Sequence, residues 1–137
     1  NFDCKWKSDA VWRDYGVSGG TEAFSEPESV ALRDYLLREL PRAVVVFHSA
    51  SNGVYTSFCE GDALGGTEEL LALYSEATGY PRYDDYPYYE VTGDIGDWLS
   101  TIDVPAVSVE LSTHTAIEWD KNKSALEALI GLYSEVE

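Results

Sequence analysis

The sequence is poor in basic residues and in cysteine, and it has no methionine. Its 137 residues include 9 Lys and Arg against 25 Asp and Glu, which gives a formal net charge of −16 at pH 7. Such a surface repels phosphate backbones and anionic lipids, so we expect neither nucleic acid nor a membrane surface as a partner. Apolar runs such as Ala43–Phe47 are far shorter than the roughly 20 residues that a membrane-spanning helix needs.

The rest of the composition fits a folded domain. Apolar residues make up 45% of the chain and aromatic residues 13%, which is enough to fill a hydrophobic core. We therefore expect residues 1–137 to form a single unit. The chain opens at Asn1 without Met or a charged-then-apolar leader, as a processed or truncated product would.

The two cysteines, Cys4 and Cys59, allow one intramolecular disulfide. Their spacing fits neither a zinc knuckle nor a redox CxxC motif. From the residues alone, a disulfide and two buried reduced thiols remain equally open.

Capping and periodicity signals predict a helix followed by two strands in the first half of the chain. Ser25 and Glu28 form an S-x-x-E capping box, and apolar residues at helical spacing continue to about Leu40. Ala43–Phe47 is β-branched without alternation, which indicates an interior strand buried on both faces. Val54–Cys59 alternates, and we expect it to return beside that strand.

The second half repeats this alternation. Thr67 is expected to cap a helix that Gly79 ends, and Asp97 is expected to begin a short helix. Ala106–Leu111 reads as a strand and Asn122–Ser134 as a helix, whereas residues 1–24 read as an ordered loop. Strands that alternate with helices place the chain in the α/β class.

Two polar residues lie at the ends of predicted strands, where ligands bind in α/β sheets. His48 follows Ala43–Phe47, and Glu110 lies near the end of Ala106–Leu111. Together they could be a metal ligand and its general base. The spacing alone favours a plainer interpretation, in which His48 is a hydrogen-bonded structural residue and Glu110 points to solvent.

Further zinc-binding motifs, and the motifs of other reaction classes in their proper context, are missing. There is no HExxH or HxxE. The other histidine, His114, lies in a Ser/Thr-rich turn, and we interpret it as a surface residue or as one that contacts a site residue from behind. The chain lacks GxGxxG and GxxxxGK, so nucleotide binding has no support. Gly16–Gly20 has the spacing GxSxG, but it lies in a stretch that reads as a loop, without the strand and helix that a nucleophile elbow of a serine hydrolase needs. The tyrosine-rich segment Tyr80–Tyr89 could be core or a carbohydrate-binding surface, and packing is the commoner role.

Taken in order along the chain, five segments resemble the zinc carboxypeptidases of the carboxypeptidase A/B type. The resemblance covers nearly the whole chain, and the gaps between its segments are similar. Its segments are Asn1-Phe2, the helix start Phe24–Glu28, the strand Val46–Ser49 that ends in His-Ser, Tyr89 eight residues before Asp97, and the strand Ser108–Leu111.

The resemblance implies a role for particular residues. His48 would bind zinc, and Glu110 would take a proton from the attacking water during hydrolysis of a C-terminal peptide bond. Tyr89 would fold over the C-terminal residue of the peptide substrate, and the backbone of Ser49 would bind the peptide. Gly96 falls near the position that reads the terminal side chain, and it offers neither charge nor bulk there.

The resemblance also implies what this chain lacks. The family's His-x-x-Glu motif and its carboxylate-binding arginines and asparagine lie upstream of the Asn-Phe segment, so His48 is one zinc ligand where three are needed. We therefore expect a mixed, mostly parallel sheet flanked by helices, as the C-terminal half of a carboxypeptidase domain that is inactive alone. The Glu110 strand would have an uncovered edge, open to a missing N-terminal half or to self-association.

Two further expectations complete the prediction. The alternative to an enzyme portion is a non-catalytic peptide-binding or interaction module on the same scaffold. By the resemblance, Cys4 and Cys59 approach the same side of the active-site crevice, which favours a bridge between them. A bridge would in turn point to secretion or a periplasm.

Overall fold

A computed structural model describes residues 1–12 and 14–134 of the chain. Strands and helices alternate from the first third onward, which confirms the α/β class. In chain order the elements are β1 (Asp9–Trp12), β2 (Tyr15–Ser18), α1 (Pro27–Glu39), β3 (Val44–Ser49), β4 (Gly53–Thr56), α2 (Gly65–Thr78), β5 (Arg82–Tyr83), α3 (Ile95–Ser100), β6 (Ala106–Leu111) and α4 (Trp119–Ser134).

The main sheet has the strand order β3-β6-β4-β5. Among the described residues, β6 is parallel to β3 and antiparallel to β4, and β4 is parallel to β5, so the sheet is mixed and mostly parallel as expected. The expectation that β4 returns beside β3 is wrong, because β6 lies between them. Val107 and Val109 of β6 are fully buried, and pairing on both sides keeps the backbone of this apolar strand hydrogen-bonded.

The position of β6 also corrects the prediction about the open edge. The strand that carries Glu110 is paired on both sides, and β3, which carries His48, is the edge strand of the described sheet. β3 was expected to be an interior strand because of its composition. Its side chains are instead half-buried or exposed, and Phe47 is 44% exposed. An apolar strand at an open edge is unusual, because unpaired backbone groups favour association.

The helices cover both faces of the sheet. α2 and α4 pack on one face, and α3 packs with the N-terminal segment on the other. The core on the first face consists of Val54, Leu70, Leu71, Tyr74, Tyr80, Val107, Val109 and Ala125. The core on the second face consists of Phe2, Cys4, Leu36, Trp98, Leu99, Val104 and Ala106.

Several predicted helix starts differ from the structure. α1 has Glu26 as its N-cap and no side-chain capping bond, because Ser25 Oγ instead accepts a hydrogen bond from Asn1 Nδ2 at 2.8 Å. α2 begins two residues before Thr67, whose hydroxyl accepts a hydrogen bond from the Ala106 N–H and so joins the helix to β6. Gly79 ends α2 with a φ of 72°, as predicted.

Helices α3 and α4 also begin earlier than predicted. α3 starts at Ile95 rather than Asp97, because Asp94 caps it through the N–H groups of Gly96 and Asp97. α4 starts at Trp119. The predicted apolar face of α1 is only partly correct, because Leu36 is buried whereas Leu37 and Leu40 are exposed.

Residues 1–24 are more ordered than a loop. β1 and β2 form an antiparallel hairpin in which Asp9 pairs with Ser18 and Trp12 with Tyr15. The rings of Trp12 and Tyr15 stack with centroids 6.4 Å apart, and such cross-strand aromatic pairs stabilise a short hairpin.

A disulfide joins Cys4 to Cys59, with their Cα atoms 5.6 Å apart. It ties the N-terminal segment to the residues that follow β4. This pairing agrees with the one that the resemblance implied. Among the described residues, none of the helices has the length and hydropathy that crossing a bilayer requires.

We expect removal of this disulfide to destabilise the fold. The bridge closes a loop across a sequence separation of 55 residues, so the double variant Cys4→Ala/Cys59→Ala should lose about 2–4 kcal/mol of unfolding free energy in urea titrations. Reductant should weaken the wild-type protein by a similar amount and leave the double variant unchanged. Equal stability of the two oxidised proteins would contradict this assignment.

Candidate active site

The structure brings His48 and Glu110 together. They are register partners on the neighbouring parallel strands β3 and β6, and residues paired in this way project from the same face of a sheet. Both side chains line one cavity of about 620 Å³. This is the juxtaposition on which the peptidase interpretation depends.

Glu110 is held at the inner side of this cavity. It is 8% exposed, and its Oε2 accepts a hydrogen bond from the Ser51 N–H at 3.3 Å. Ser51 is itself fixed, because its Oγ lies 2.9 Å from the Tyr86 hydroxyl and its carbonyl accepts a hydrogen bond from the Tyr55 hydroxyl at 3.2 Å. The turn after β3 therefore orients the carboxylate.

His48 is exposed at the carboxyl end of the edge strand. The other histidine, His114, contacts the next residue instead: its Nδ1 lies 3.0 Å from Ser49 Oγ. His114 is exposed, as predicted, and it joins the loop after β6 to the end of β3. Ser49 is the last residue of β3, and alternation along the strand directs its side chain to the sheet face opposite that of His48.

The tyrosine-rich segment forms one side of the cavity. Tyr89 lines it with its ring centroid 4.9 Å from that of Tyr86, which lies 5.1 Å from that of Tyr55. Burial, with a smaller effect of Tyr86, raises the pKa of Tyr89 to about 12. Burial likewise raises the pKa of Tyr55 to about 12. Both phenols therefore stay protonated at neutral pH. The Tyr55 hydroxyl donates to the Ser51 carbonyl, and the Tyr89 hydroxyl is hydrogen-bonded to Tyr86.

Gly96 lies beneath the cavity surface rather than on it. A Cβ at this position would lie 2.5 Å from Ser57 Oγ and 3.0 Å from Asp94 Oδ1. The glycine is therefore required by close packing of α3 on the end of β4. The cavity is lined here by Asp94 and Asp97, the neighbours of Gly96, and by Lys5.

Lys5 and Asp97 form an ion pair that the sequence did not reveal. Lys5 Nζ lies 3.4 Å from Asp97 Oδ2 and donates to the Phe58 carbonyl at 3.1 Å, and Asp97 Oδ1 accepts from the Phe58 N–H at 3.1 Å. Burial and the charge of Asp94 raise the pKa of Asp97, and Lys5 and the Phe58 N–H oppose this rise. The partners are 92 residues apart, so local spacing gives no signal of this pair.

The donor set does not make a complete zinc site. Within residues 1–12 and 14–134, no three His, Cys, Asp or Glu side chains are grouped so that they could hold a metal ion. A catalytic zinc ion needs three protein ligands, and His48 can provide one. Any such site therefore requires donors from outside the described residues.

Comparison with solved structures shows that the fold is that of the zinc carboxypeptidases. Murein-tripeptide amidase MpaA from Escherichia coli O157 matches 96% of this chain with 23% identity and a TM-score of 0.71. Carboxypeptidase A from Helicoverpa armigera matches with 15% identity and a TM-score of 0.69. Thrombin-activatable fibrinolysis inhibitor matches with 21% identity and a TM-score of 0.67.

The chain spans only part of the length of these proteins: the matches cover 55% of the amidase, 41% of the carboxypeptidase and 39% of the fibrinolysis inhibitor. No protein-family model matches the sequence, and no curated protein matches it either. The described fold is thus a portion of the carboxypeptidase fold with a distant sequence.

We expect Gly96→Ala to be destabilising because of its contact with Ser57. The added methyl group should cost about 1–3 kcal/mol of unfolding free energy, the usual range for overpacking. Gly131→Ala is the matched control: it lies in α4 with open space around it, and alanine there should stabilise by about 0.5–1 kcal/mol. Urea unfolding measures both variants, and Ser57→Gly should restore part of the loss in Gly96→Ala. A neutral Gly96→Ala would show that α3 does not pack this closely.

Proposed function

We propose that this chain is the C-terminal half of a zinc-dependent carboxypeptidase-type hydrolase that cleaves a C-terminal peptide bond. The observation that carries the proposal is the pairing of His48 with Glu110 at one cavity. A buried carboxylate is costly, and a hydrolase that must move a proton has a reason to keep it.

Glu110 has the environment that a general base needs. Its Oε2 accepts one backbone hydrogen bond, which fixes the carboxylate while it still lines the cavity. In the proposed reaction it takes a proton from the attacking water and delivers it to the nitrogen of the leaving amine. Zinc held by His48 and by donors outside these residues would lower the pKa of a bound water to about 7.

The aromatic side of the cavity supports peptide binding. Tyr89 remains a neutral phenol at pH 7, so its hydroxyl can donate to a carbonyl or carboxylate oxygen of the terminal residue. The backbone of Ser49, which follows His48 at the end of β3, is proposed to bind the peptide. The proposed role of Gly96 is to allow α3 to pack closely. Asp94 and Asp97, on either side of it, are proposed to contact the terminal side chain.

The remaining zinc ligands are proposed to come from an N-terminal half that pairs with the edge of β3. This edge is open in the described sheet, and apolar side chains on β3 and α1, including Phe47, Leu37 and Leu40, are exposed. A second copy of the chain is the weaker candidate, since each copy carries a net charge of −16.

A peptide-binding module without catalysis is the alternative function. The incomplete donor set favours it, because a cavity that opens between tyrosines can bind a peptide without metal. Burial of Glu110 argues for the hydrolase, since binding alone gives no reason for that cost. In either case the disulfide supports a secreted or periplasmic protein.

Zinc binding and hydrolysis should depend on residues outside this chain. We expect the 137-residue chain alone to hold no stoichiometric zinc in equilibrium dialysis and to show no turnover of peptides, whereas the protein extended by an N-terminal half should do both. In the extended protein, Glu110→Gln should lower kcat by about 10²- to 10⁴-fold and leave the zinc content unchanged. His48→Gln should lower the zinc content.

His114→Gln serves as the control for zinc content, because it removes the other imidazole and should retain the metal. Tight stoichiometric zinc together with turnover by the 137-residue chain would contradict the proposal.

The edge of β3 should become protected when the N-terminal half is present. About half of the amides of an edge strand point away from its partner and exchange with solvent. Hydrogen exchange of Val44–Ser49 should therefore slow in the extended protein, while that of β6, which is already paired on both sides, should change little. Unchanged exchange of β3 would rule out pairing at this edge.

A further inference from the structure

The hairpin near the start of the chain has one edge that faces a groove. Among the described residues, β1 pairs with β2 alone, so its other edge is open. We call the space of about 320 Å³ beside this edge the hairpin groove. It is lined by Lys7, Asp9, Ala10, Val11, Tyr88, Tyr89, Glu90 and Thr92. Tyr88, Tyr89 and Glu90 also line the main cavity, so the two spaces adjoin.

The hydrogen-bond pattern of the hairpin shows which backbone groups the open edge presents. The Gly19 N–H donates to the Ser8 carbonyl at 2.9 Å, so these two residues form a hydrogen-bonded pair of the antiparallel ladder. Such pairs alternate along a ladder, so Ala10 also directs its backbone groups to β2. The N–H and C=O groups of Asp9 and Val11 therefore point away from β2, towards the groove that these residues line.

The open edge matches the backbone of an extended peptide. A peptide that lies along β1 as a third strand can exchange hydrogen bonds with both Asp9 and Val11, which is the binding mode called β-augmentation. A small molecule or a flat protein surface offers no matching row of donors and acceptors at the strand spacing of about 3.4 Å per residue. The backbone geometry therefore favours a peptide as the occupant of the groove.

The charges around the groove favour a basic peptide. Asp9 and Glu90 line the groove, and Lys7 Nζ lies 2.6 Å from Glu90 Oε2, so the ammonium of Lys7 opposes a basic ligand only weakly. The adjoining cavity has more acidic than basic side chains in its lining, namely Asp85, Glu90, Asp94, Asp97 and Glu110 against Lys5. With a net charge of −16, the whole chain attracts cations and repels anions.

Strand alternation sets the spacing of the side chains that the groove can recognise. Asp9 and Val11 lie on one face of the hairpin, two positions apart. In a third strand, the residues opposite them lie on the same face, also two positions apart. A basic side chain opposite Asp9 and an apolar side chain opposite Val11 each gain a cross-strand partner. Tyr88, which is 65% exposed and lines the groove, offers a ring face to a cation.

We propose that the hairpin groove is a second peptide-binding site, which binds an extended segment with a basic and an apolar residue two positions apart. The segment pairs with Asp9 and Val11 of β1, and the carboxylate of Asp9 binds the basic side chain. This site goes beyond the proposed function, because it takes an internal stretch of polypeptide and needs no free C-terminus, zinc or hydrolysis. Since the groove adjoins the cavity, it holds a basic polypeptide beside the proposed reaction site.

Three blocked peptides test this site by NMR titration of the 137-residue chain. The first is acetyl-Thr-Lys-Thr-Val-Thr-Lys-Thr-amide, which places a Lys two residues from Val in either strand direction. The second has Glu in place of both Lys residues, and the third is the Lys peptide with every backbone nitrogen methylated. The terminal amide removes the carboxylate group that the main cavity is proposed to hold, so the titration does not report on that cavity.

We expect the Lys peptide to bind about tenfold more tightly than the Glu peptide at low ionic strength, and the methylated peptide not to bind measurably. At saturation with the Lys peptide, hydrogen exchange of the Asp9 and Val11 amides should slow. The amides of Ala10 and Trp12, which are already bonded to β2, should change little. Exchange of Val44–Ser49, at the open edge of β3, should also stay unchanged.

The variant Asp9→Asn should reduce the preference for the Lys peptide from about tenfold to less than about threefold. Asp120→Asn is the matched control, because it makes the same change of charge in the first turn of α4, which packs on the sheet face opposite to the N-terminal segment. This variant should keep the preference. Thermal unfolding checks that both variants fold.

Equal affinities for the Lys and Glu peptides, comparable binding of the methylated peptide, no measurable binding of the Lys peptide, or protection of β3 in place of β1 would each overturn the inference. An unchanged preference in Asp9→Asn would do the same. The outcome is separable from that of the proposed function. Binding at β1 without turnover in the extended protein contradicts the hydrolase alone, and turnover without this binding contradicts the second site alone.

Discussion

The parallel pairing of β3 with β6 is the constraint on which the candidate site depends. The register places His48 directly beside Glu110, so that both side chains leave the same face at the carboxyl ends of their strands. A shift of one residue would move one of them to the opposite face. The register is fixed further because Val107 and Val109 of β6 are buried on the opposite face, against side chains of α2 and α4.

The same strand order leaves β3 at an open edge of the described sheet. β6 is the central strand of the described sheet, whereas β3 has apolar side chains and one open edge. The N-terminal segment is held by the disulfide and by hydrogen bonds that Asn1 donates to Gly19 and Ser25. A match to part of the length of carboxypeptidase-fold proteins is consistent with this geometry.

The cavity has two chemically different ends. At one end an exposed imidazole lies beside a buried carboxylate, which suits proton transfer and metal binding. At the other end Lys5 and Asp97 are paired with each other and hydrogen-bonded to the backbone of Phe58. Tyrosines that stay neutral at pH 7 lie between them and can orient a peptide without adding charge.

The sequence by itself determined the α/β class and the strands that carry His48 and Glu110, because local periodicity depends on neighbouring residues. Tertiary structure alone decided that β6 separates β3 from β4, that Ser25 binds Asn1 rather than capping α1, and that Lys5 meets Asp97. Each of these depends on contacts between distant parts of the chain, and their free energy comes from burial and pairing that no local pattern encodes.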